Sequence, residues 1–263
     1  MFVCPKCKAL LVKQNNQFSC SHHHTYDVAK SGYVNLVLGN TQQSGDDKEM
    51  VKCRSDFLNK NYYHILRDEL IKIVKQYPHQ VMVDAGCGEG YYTSHISDAY
   101  PTATMYGFDL SKAALTHASK QNKQIQYAIA SLFHIPLQDQ SVDLIFNVFA
   151  PCAMDEFNRL LKTDGILIQV TPAPRHLIQL KHILYDQIYE NDGETKDYEG
   201  FIKEEYIIKD QIHLSTKEDI NHLFSMTPYS WKTTKKDKDK LMNYESLDTE
   251  ISFILSIYRK KTK

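Results

Sequence analysis

No stretch of this 263-residue sequence approaches 18 uninterrupted apolar residues, and the opening Met1-Phe-Val-Cys-Pro-Lys6 lacks a charged segment followed by a long apolar run. The first absence excludes a membrane-spanning helix and the second argues against a secretory leader, so a soluble, cytoplasmic protein with no membrane partner is expected. An excess of either charge is also missing: Lys and Arg total 31 against 32 Asp and Glu, a formal net charge of −1. The field of the whole protein is not that of a strongly basic nucleic-acid binder, and any RNA contact must use local patches. A disulfide framework is absent too. The six cysteines sit at 4, 7, 20, 53, 87 and 152, three of them crowded at the start, which suits metal binding in a reducing compartment. The length allows one large α/β domain with a small appendage and is too short for two full enzymatic domains.

The chain is organised around Val81-Met-Val-Asp-Ala-Gly-Cys-Gly-Glu-Gly-Tyr-Tyr-Thr93, a short apolar strand that breaks at Gly86, Gly88 and Gly90 and restarts as a helix. The turn lacks both the G-x-G-x-x-G spacing of dinucleotide sites and the Gly-Lys-Ser/Thr ending of a phosphate loop. Asp84 before it and Glu89 within it repel a phosphate and attract a cation. Together these point to S-adenosylmethionine, whose sulfonium and amino groups are positive. Residues 104–109 read as a second strand ending in Asp109, a carboxylate placed to accept hydrogen bonds from both ribose hydroxyls of an adenosyl group.

Beyond that strand, Ser111 opens a helix to about Gln121, and 125–130 and 143–149 give two more strands. A helix over 157–162 breaks at Asp164-Gly165, a fifth strand runs over 166–171, and an antiparallel strand over 250–258 closes the pattern. The alternation predicts an α/β fold with a doubly wound, Rossmann-like parallel sheet. Residues 49–78 carry a helical lead-in, where Tyr62 and Tyr63 either cover the cofactor or pack the core.

At the N-terminus, Cys4-Pro-Lys-Cys7, Cys20 and the run His22-His23-His24 have the spacing of a zinc site. Two thiolates two residues apart turn back onto one tetrahedral ion, and a second knuckle closes the site, which makes it structural. Each of the three histidines could be the fourth ligand; His24 leaves the backbone most room to form the knuckle. So short a segment depends on the metal for its folding free energy. Tyr26, Val28, Tyr33 and Leu36 then either form part of a platform for RNA bases or pack the small zinc fold. Residues 39–48 read as a linker or mobile loop.

The turn Asp84 to Gly90 with Asp109 resembles the class I S-adenosylmethionine-dependent methyltransferases, which share a seven-stranded doubly wound sheet. Over nearly its whole length the chain resembles the RlmA family of 23S rRNA guanine-N1 methyltransferases, which includes relatives that confer macrolide resistance. The resemblance rests on Cys4, Cys7, Cys20 and His24; on Tyr26-Asp27 with Gly32-Tyr33-Val34-Asn35-Leu36; on Gly86 to Thr93; on Ala150-Pro151-Cys152; and on Thr171-Pro-Ala-Pro-Arg-His-Leu177. It implies zinc on Cys4, Cys7, Cys20 and His24. It also implies a cofactor pocket from Tyr63, Gly88, Glu89, Asp109 and His176, beside Asp84, Gly86 and Gly90 of the turn. The partner implied is a 23S rRNA hairpin held by the first domain, and a homodimer stays open. The division expected is a zinc-binding RNA-recognition module at 1–38, a linker and helical lead-in at 39–59, and a methyltransferase domain at 60–263.

Methyl transfer from a sulfonium is an in-line displacement that needs positioning and no covalent enzyme intermediate. Guanine N1 carries a proton that must leave, and a nearby acceptor could accelerate the step by about 10² to 10⁴ fold. The fourth strand ends in Asn147-Val-Phe-Ala-Pro-Cys152, unlike the Asn/Asp-Pro-Pro-aromatic signature of amino-group methyltransferases, which suits a ring nitrogen. Asn147 and His176 are the candidates for orienting the base or relaying its proton, and Pro151 for shaping the pocket floor. The acidic, tyrosine-rich stretch 185–213 reads as an excursion bordering the site or as solvated helix. Lys232 to Lys240, with Arg175, Lys181 and the terminal basic run, supplies either phosphate contacts or a solvated charged face. The competing functions are a small-molecule methyltransferase and a non-enzymatic module that binds the cofactor and RNA.

Overall fold

A computed structural model of the chain describes residues 1–39, 46–193 and 195–262. Of the expected linker, residues 40–45 lie outside the described residues.

The N-terminal segment folds as a three-stranded antiparallel sheet, β1 (Val12–Gln14), β2 (Gln17–Ser19) and β3 (Thr25–Asp27). It does not stand apart. Phe2 bridges to Leu137, and the Val3 N–H donates to the Pro136 carbonyl at 2.9 Å. β4 (Val34–Asn35) pairs in parallel with β7 (Gln126–Ile129), and the Leu36 N–H continues that edge to the Ile129 carbonyl at 2.9 Å. The seven-stranded sheet of the resemblance is therefore an eight-stranded one here. Residues 34–36, assigned to the zinc module, complete the catalytic sheet.

The predicted lead-in is two helices, α1 (Lys48–Asn59) and α2 (His64–Val74), separated at Asn61, whose φ of 63° cannot continue a helix. Asp47 starts α1 by accepting the Met50 N–H at 2.9 Å, an ordinary N-cap. The sheet then runs in the expected order. β5 (Val81–Ala85) leads through the glycine turn to α3 (Tyr91–Ala99), and β6 (Thr104–Asp109) leads to α4 (Lys112–Gln121), capped by Ser111. β7 and β8 (Val142–Val148) follow; β5 to β8 are parallel and buried on both faces, as apolar central strands must be. The fourth strand stops at Val148 because Phe149 turns out of it with φ 54°.

The next helix lies three residues earlier than expected, as α5 (Met154–Leu160), with Asp155 and Glu156 in its first turn, where carboxylates favour helix initiation. Leu161 is already extended, and β9 (Leu161–Pro172) takes over the residues expected to end that helix. After α6 (Ile178–Leu184), residues 201–214 form β10 (Phe201–Leu214), so much of the stretch left between excursion and solvated helix is an edge strand. β10 pairs along its whole length with β11 (Leu247–Lys260), which also runs antiparallel to β9 as the predicted closing strand. Between them lie α7 (Lys217–Ser225) and two short helices, α8 (Tyr229–Lys232) and α9 (Lys235–Asp239). The strand order is β10-β11-β9-β8-β5-β6-β7-β4.

No helix among the described residues is long and apolar enough to cross a membrane.

Candidate functional site

The zinc donors converge as their spacing requires. Cys4, Cys7, Cys20 and His24 bring their ligand atoms within 4.8 Å of one another. The His24 Nδ1 lies 3.4 Å from Cys4 Sγ and 3.5 Å from Cys20 Sγ, and the Cys7 and Cys20 sulfurs are 3.7 Å apart. Donors about 2.3 Å from a tetrahedral Zn²⁺ stand about 3.8 Å from each other, so the set fits that ion and leaves no open position. Lys8 (φ 61°) and His23 (φ 62°) make the tight returns behind the two knuckles, which explains why His24 rather than His22 or His23 reaches the metal. The Tyr26 hydroxyl lies 3.2 Å from Cys4 Sγ and supports that ligand. Tyr33 and Leu36 are buried, so neither belongs to a stacking platform. What the module does expose is charge: Lys6, Lys8, Lys13 and Lys30 are all exposed, against one carboxylate side chain, Asp27, within residues 1–38.

The second site is a cavity of about 730 Å³ at the C-terminal ends of β5, β6, β8 and β9. This is where ligands bind in open α/β sheets. Asp84, Gly86, Gly88, Glu89 and Asp109 line one end of it. Gly86 has φ 89°, and a Cβ there would sit 2.4 Å from that of Ala150, so only glycine lets the turn pass under the end of β8. The Gly88 N–H donates to Asp109 at 3.0 Å, and the Ser111 N–H holds the other carboxylate oxygen at 2.7 Å, which fixes the carboxylate at the strand end. Asp84 accepts a 2.6 Å bond from Thr93 on one oxygen, while its other oxygen is buried without a partner. Burial pushes the Asp84 carboxyl up to about 7. Burial also raises Glu89, countered by the Arg54 guanidinium 3.5 Å away. The partnerless buried oxygen of Asp84, the Asp109 carboxylate at its strand end and a Cβ-free approach at Gly88 fit the adenosyl and cationic groups of S-adenosylmethionine.

Tyr63 and His176 form one unit in the opposite wall. The Ser252 N–H donates to His176 Nδ1 at 3.2 Å, so the ring proton must sit on Nε2, which faces the Tyr63 hydroxyl at 3.2 Å. Tyr63 therefore accepts from His176 and keeps its own O–H to donate. Burial, with Lys181 nearby, pushes His176 down to about 3. A neutral imidazole with both nitrogens engaged cannot relay the proton of the acceptor base, which corrects that part of its expected role. It can still orient Tyr63.

Two other sequence candidates lie behind the cavity wall. Asn147 is fully buried, and its amide donates to the Ala85 carbonyl at 3.0 Å and the Pro151 carbonyl at 3.2 Å. It ties the β8 end to the glycine turn, while its Oδ1 is buried without a partner. Gly90 is absent from the cavity lining; a Cβ there would lie 2.8 Å from the Tyr127 hydroxyl and 2.9 Å from Ala118 Cβ, so its role is close packing of α3 on α4. Tyr62 donates to Asp219 at 3.0 Å and packs on Phe57, away from the cavity. Buried Cys87 has its thiol pushed well up, chiefly by burial, and carries no nucleophilic character.

The lining also includes residues that no motif marked. Arg54 and Asp46 pair beside Glu89, and the Ser111 hydroxyl donates to the Asp46 carbonyl at 2.6 Å. Phe133, Phe149 and Trp231, all large and exposed, line the same cavity. Trp231 is the only tryptophan in the sequence, a signal that could have been weighed. Phe149 is held by its left-handed backbone and by ring contacts to Phe253 and His176.

The comparisons with known proteins agree with this geometry. A family model described as the N-terminal region of RlmA matches residues 2–44, and one described as a methyltransferase domain matches residues 83–169. A Bacillus subtilis protein, YxjB, provisionally named a 23S rRNA (guanine-N1) methyltransferase, is 28% identical over 99% of this chain and 97% of its own length. A Micromonospora griseorubida protein with the same provisional name is 33% identical over 67% of each chain. The 23S rRNA (guanine(748)-N1)-methyltransferase of Streptomyces fradiae is 31% identical over 67% of this chain and 65% of its own. Among solved structures, the YcgJ protein of Bacillus subtilis shares the fold, with a TM-score of 0.54 at 16% identity over 76% of this chain and all of that one.

Proposed function

Because the chain belongs to the RlmA family of 23S rRNA guanine-N1 methyltransferases, we propose that it transfers a methyl group from S-adenosylmethionine to N1 of a guanine in a hairpin of 23S rRNA. The observation that carries this reading is the joining, in one packed body, of a closed Cys3His cluster with exposed lysines to a methyltransferase cavity rimmed by aromatic rings.

When bound, S-adenosylmethionine supplies an electrophilic methyl carbon on a positively charged sulfur. The chain's part is to hold and exclude. Asp109, fixed by two backbone N–H groups, offers its carboxylate to the ribose hydroxyls, while Asp84 and Glu89 offer negative charge to the cationic groups. Tyr63 turns its O–H inward because His176 already donates to it. A base inside a helix cannot reach such a cavity, so the target guanine must come from a loop or be extruded. Phe133, Phe149 and Trp231 then provide π-faces for it, each stacking contact worth about 1–3 kcal/mol. The lysines of the first module contact phosphates.

The test is incubation of purified protein and labelled cofactor with unmethylated 23S rRNA. Mass spectrometry should find 1-methylguanine, and reverse transcription should stop at that base because the methyl blocks pairing. Label that never reaches guanine N1 removes the reading. Deleting residues 1–38 is a poor way to distinguish a small-molecule enzyme, since Phe2 and Val34 belong to the shared core. Charge reversal of Lys6, Lys8, Lys13 and Lys30 avoids that defect: an rRNA enzyme loses hairpin affinity, whereas a small-molecule enzyme is unaffected. The reading also includes a cytoplasmic location, where the ribosomal substrate is, and a homodimer. Light scattering that gives a monomer at micromolar concentration removes the dimer.

A further inference from the structure

Beyond Asp46, Asp84, Glu89 and Asp109, none of the residues that line the cavity is acidic. The four lining carboxylates, Asp46, Asp84, Glu89 and Asp109, all belong to the cofactor end or its rim. His176 has no free lone pair. A side chain that takes the proton from the acceptor nitrogen is therefore missing among the described lining residues, and the remaining physical route is to stabilise the base after its proton has gone to water.

A device for that stands directly behind the wall. Lys181 is buried on α6, where burial pulls its pKa below the ordinary lysine value and the Glu190 carboxylate partly opposes that. Its ammonium donates to the Asn191 Oδ1 at 2.7 Å and the Tyr189 carbonyl at 3.0 Å, and it lies 5.8 Å from the ring centroid of Tyr229. The charged and titratable groups around it are Glu190, which faces Arg175 at 4.0 Å, and the rings of His176 and Tyr229. An ammonium can only donate, so Asn191 must turn its Oδ1 toward Lys181 and its amide N–H groups the other way. One of these binds the Ala173 carbonyl at 2.8 Å; the other has only a long 3.5 Å contact to the His176 carbonyl. Asn191 is also clamped through its backbone to the Pro174 carbonyl at 2.9 Å. The result is a cavity-wall amide held from behind by a positive charge.

We infer that Lys181 and Asn191 together stabilise the deprotonated acceptor guanine, Asn191 by donating its second amide N–H to guanine O6 and Lys181 as a positioning charge acting through Asn191. Loss of the N1 proton to water places negative charge over N1 and O6. The N1 lone pair forms the bond to the methyl carbon as the carbon–sulfur bond breaks toward sulfur. The products are 1-methylguanine and a neutral thioether. A donor aimed at an oxygen where charge develops is the arrangement by which enzymes stabilise oxyanions, and removing one costs about 10²-fold. The inference rests on the proposed reaction and adds the residues that make guanine N1 reactive in it.

The experiment is single-turnover methylation of an rRNA hairpin from pH 6 to pH 10 with wild type, K181M, K181R and N191A. Cofactor affinity by calorimetry, hairpin affinity by anisotropy and the melting midpoint are measured on each. The wild-type rate should rise with pH to a plateau. In K181M the rise should move up by about one pH unit, which is about tenfold in rate at pH 7, with cofactor affinity unchanged. N191A should move it in the same direction, K181R should recover part of the loss, and K181M/N191A should be no worse than N191A, since one acts through the other. Superimposable profiles, a loss in K181M equal at every pH, or a K181R as impaired as K181M overturns the inference. A wild type that makes no 1-methylguanine fells the proposed reaction itself and this inference with it, and that failure is distinguishable because it precedes any substitution.

Discussion

Replacing Phe2 with alanine should lower the stability of the whole chain, not of the zinc fold alone. The ring is 2% exposed and sits between the two parts of the protein: edge-on to Phe18 of the zinc module at 5.4 Å, and to Tyr106 and Phe108 of β6 at 5.3 and 6.0 Å. Truncating a buried phenylalanine costs about 3–5 kcal/mol, because the lost transfer energy is joined by a cavity that rigid neighbours cannot close. In a chain of this size 1 kcal/mol corresponds to about 2–4 °C, so the melting midpoint should fall by about 10 °C. Differential scanning calorimetry with zinc in fixed excess gives the answer. Wild type and F2A should each melt in one transition, the variant's at lower temperature, because β4 and Phe2 couple the module to the sheet. A small early transition in F2A, followed by a main transition at the wild-type midpoint, would refute the coupling and make residues 1–38 an independent domain.

Asp84 sets a pH dependence with a definite sign. Its carboxyl is raised to about 7 in the folded protein from an ordinary value of 3.8, so the folded state holds the proton more tightly. The stability Asp84 contributes is present below pH 4 and is lost as pH rises toward 7 and through it. Cofactor binding runs the other way, since a cationic ligand prefers the anion. Affinity measured calorimetrically should tighten as pH rises from 6 to 8, and D84N should abolish that trend while raising the ligand-free midpoint at pH 8. Gly90→Ala should cost about 2–4 kcal/mol of stability from its left-handed backbone and the Tyr127 and Ala118 contacts, yet leave cofactor affinity of the folded protein intact; a tenfold weaker affinity would return Gly90 to the binding set. Asp109→Asn should weaken the cofactor about 10- to 100-fold, the scale of a charged hydrogen bond, and equal binding by the variant would mean that the ribose lies elsewhere. Removing zinc with a chelator should lower the same single transition that F2A lowers, and an unchanged melt would show that the cluster holds no structural metal.

The sequence carried the central strands because each is short, apolar and bounded by glycine or a helix cap: β5, β6, β7 and β8 lie within a residue or two of their predicted limits. The zinc ligands were legible from spacing, although spacing alone could not choose among three adjacent histidines; the left-handed turn at His23 does. β4 has only two residues, too few for a period, and its partner β7 is about 90 residues away in sequence. β10 was hidden because an edge strand polar on both faces loses the alternation that marks a half-buried one. At the cavity, Asp84, Gly86, Gly88, Glu89 and Asp109 followed from one motif, whereas Arg54, Asn191 and Trp231 reach it from helices and loops far apart in the chain. Gly90 and Asn147 show why a motif overstates contact. Both make the turn possible, one by its missing Cβ and one by an amide that bonds two carbonyls, and neither lines the cavity.

The parallel pairing of β4 with β7 also fixes where the zinc module delivers the chain. Parallel strands put their C-terminal ends on one side of the sheet, so β4 leaves at the same end as β5, β6 and β8, which is the end that holds the cavity. The chain next described, at Asp46, is already on that rim, with the Ser111 hydroxyl on its carbonyl and the Arg54 guanidinium on its carboxylate. Arg54 in turn faces Glu89 of the glycine turn. The metal-held fold is thus coupled to the cofactor end twice, through the Phe2 contact under β6 and through the segment that carries Asp46 and Arg54 to the pocket. Residues that hold the zinc module in place and residues that shape the methyl-donor site belong to one contiguous structure, which is the physical reason a zinc fold and a methyltransferase sheet work here as a single enzyme.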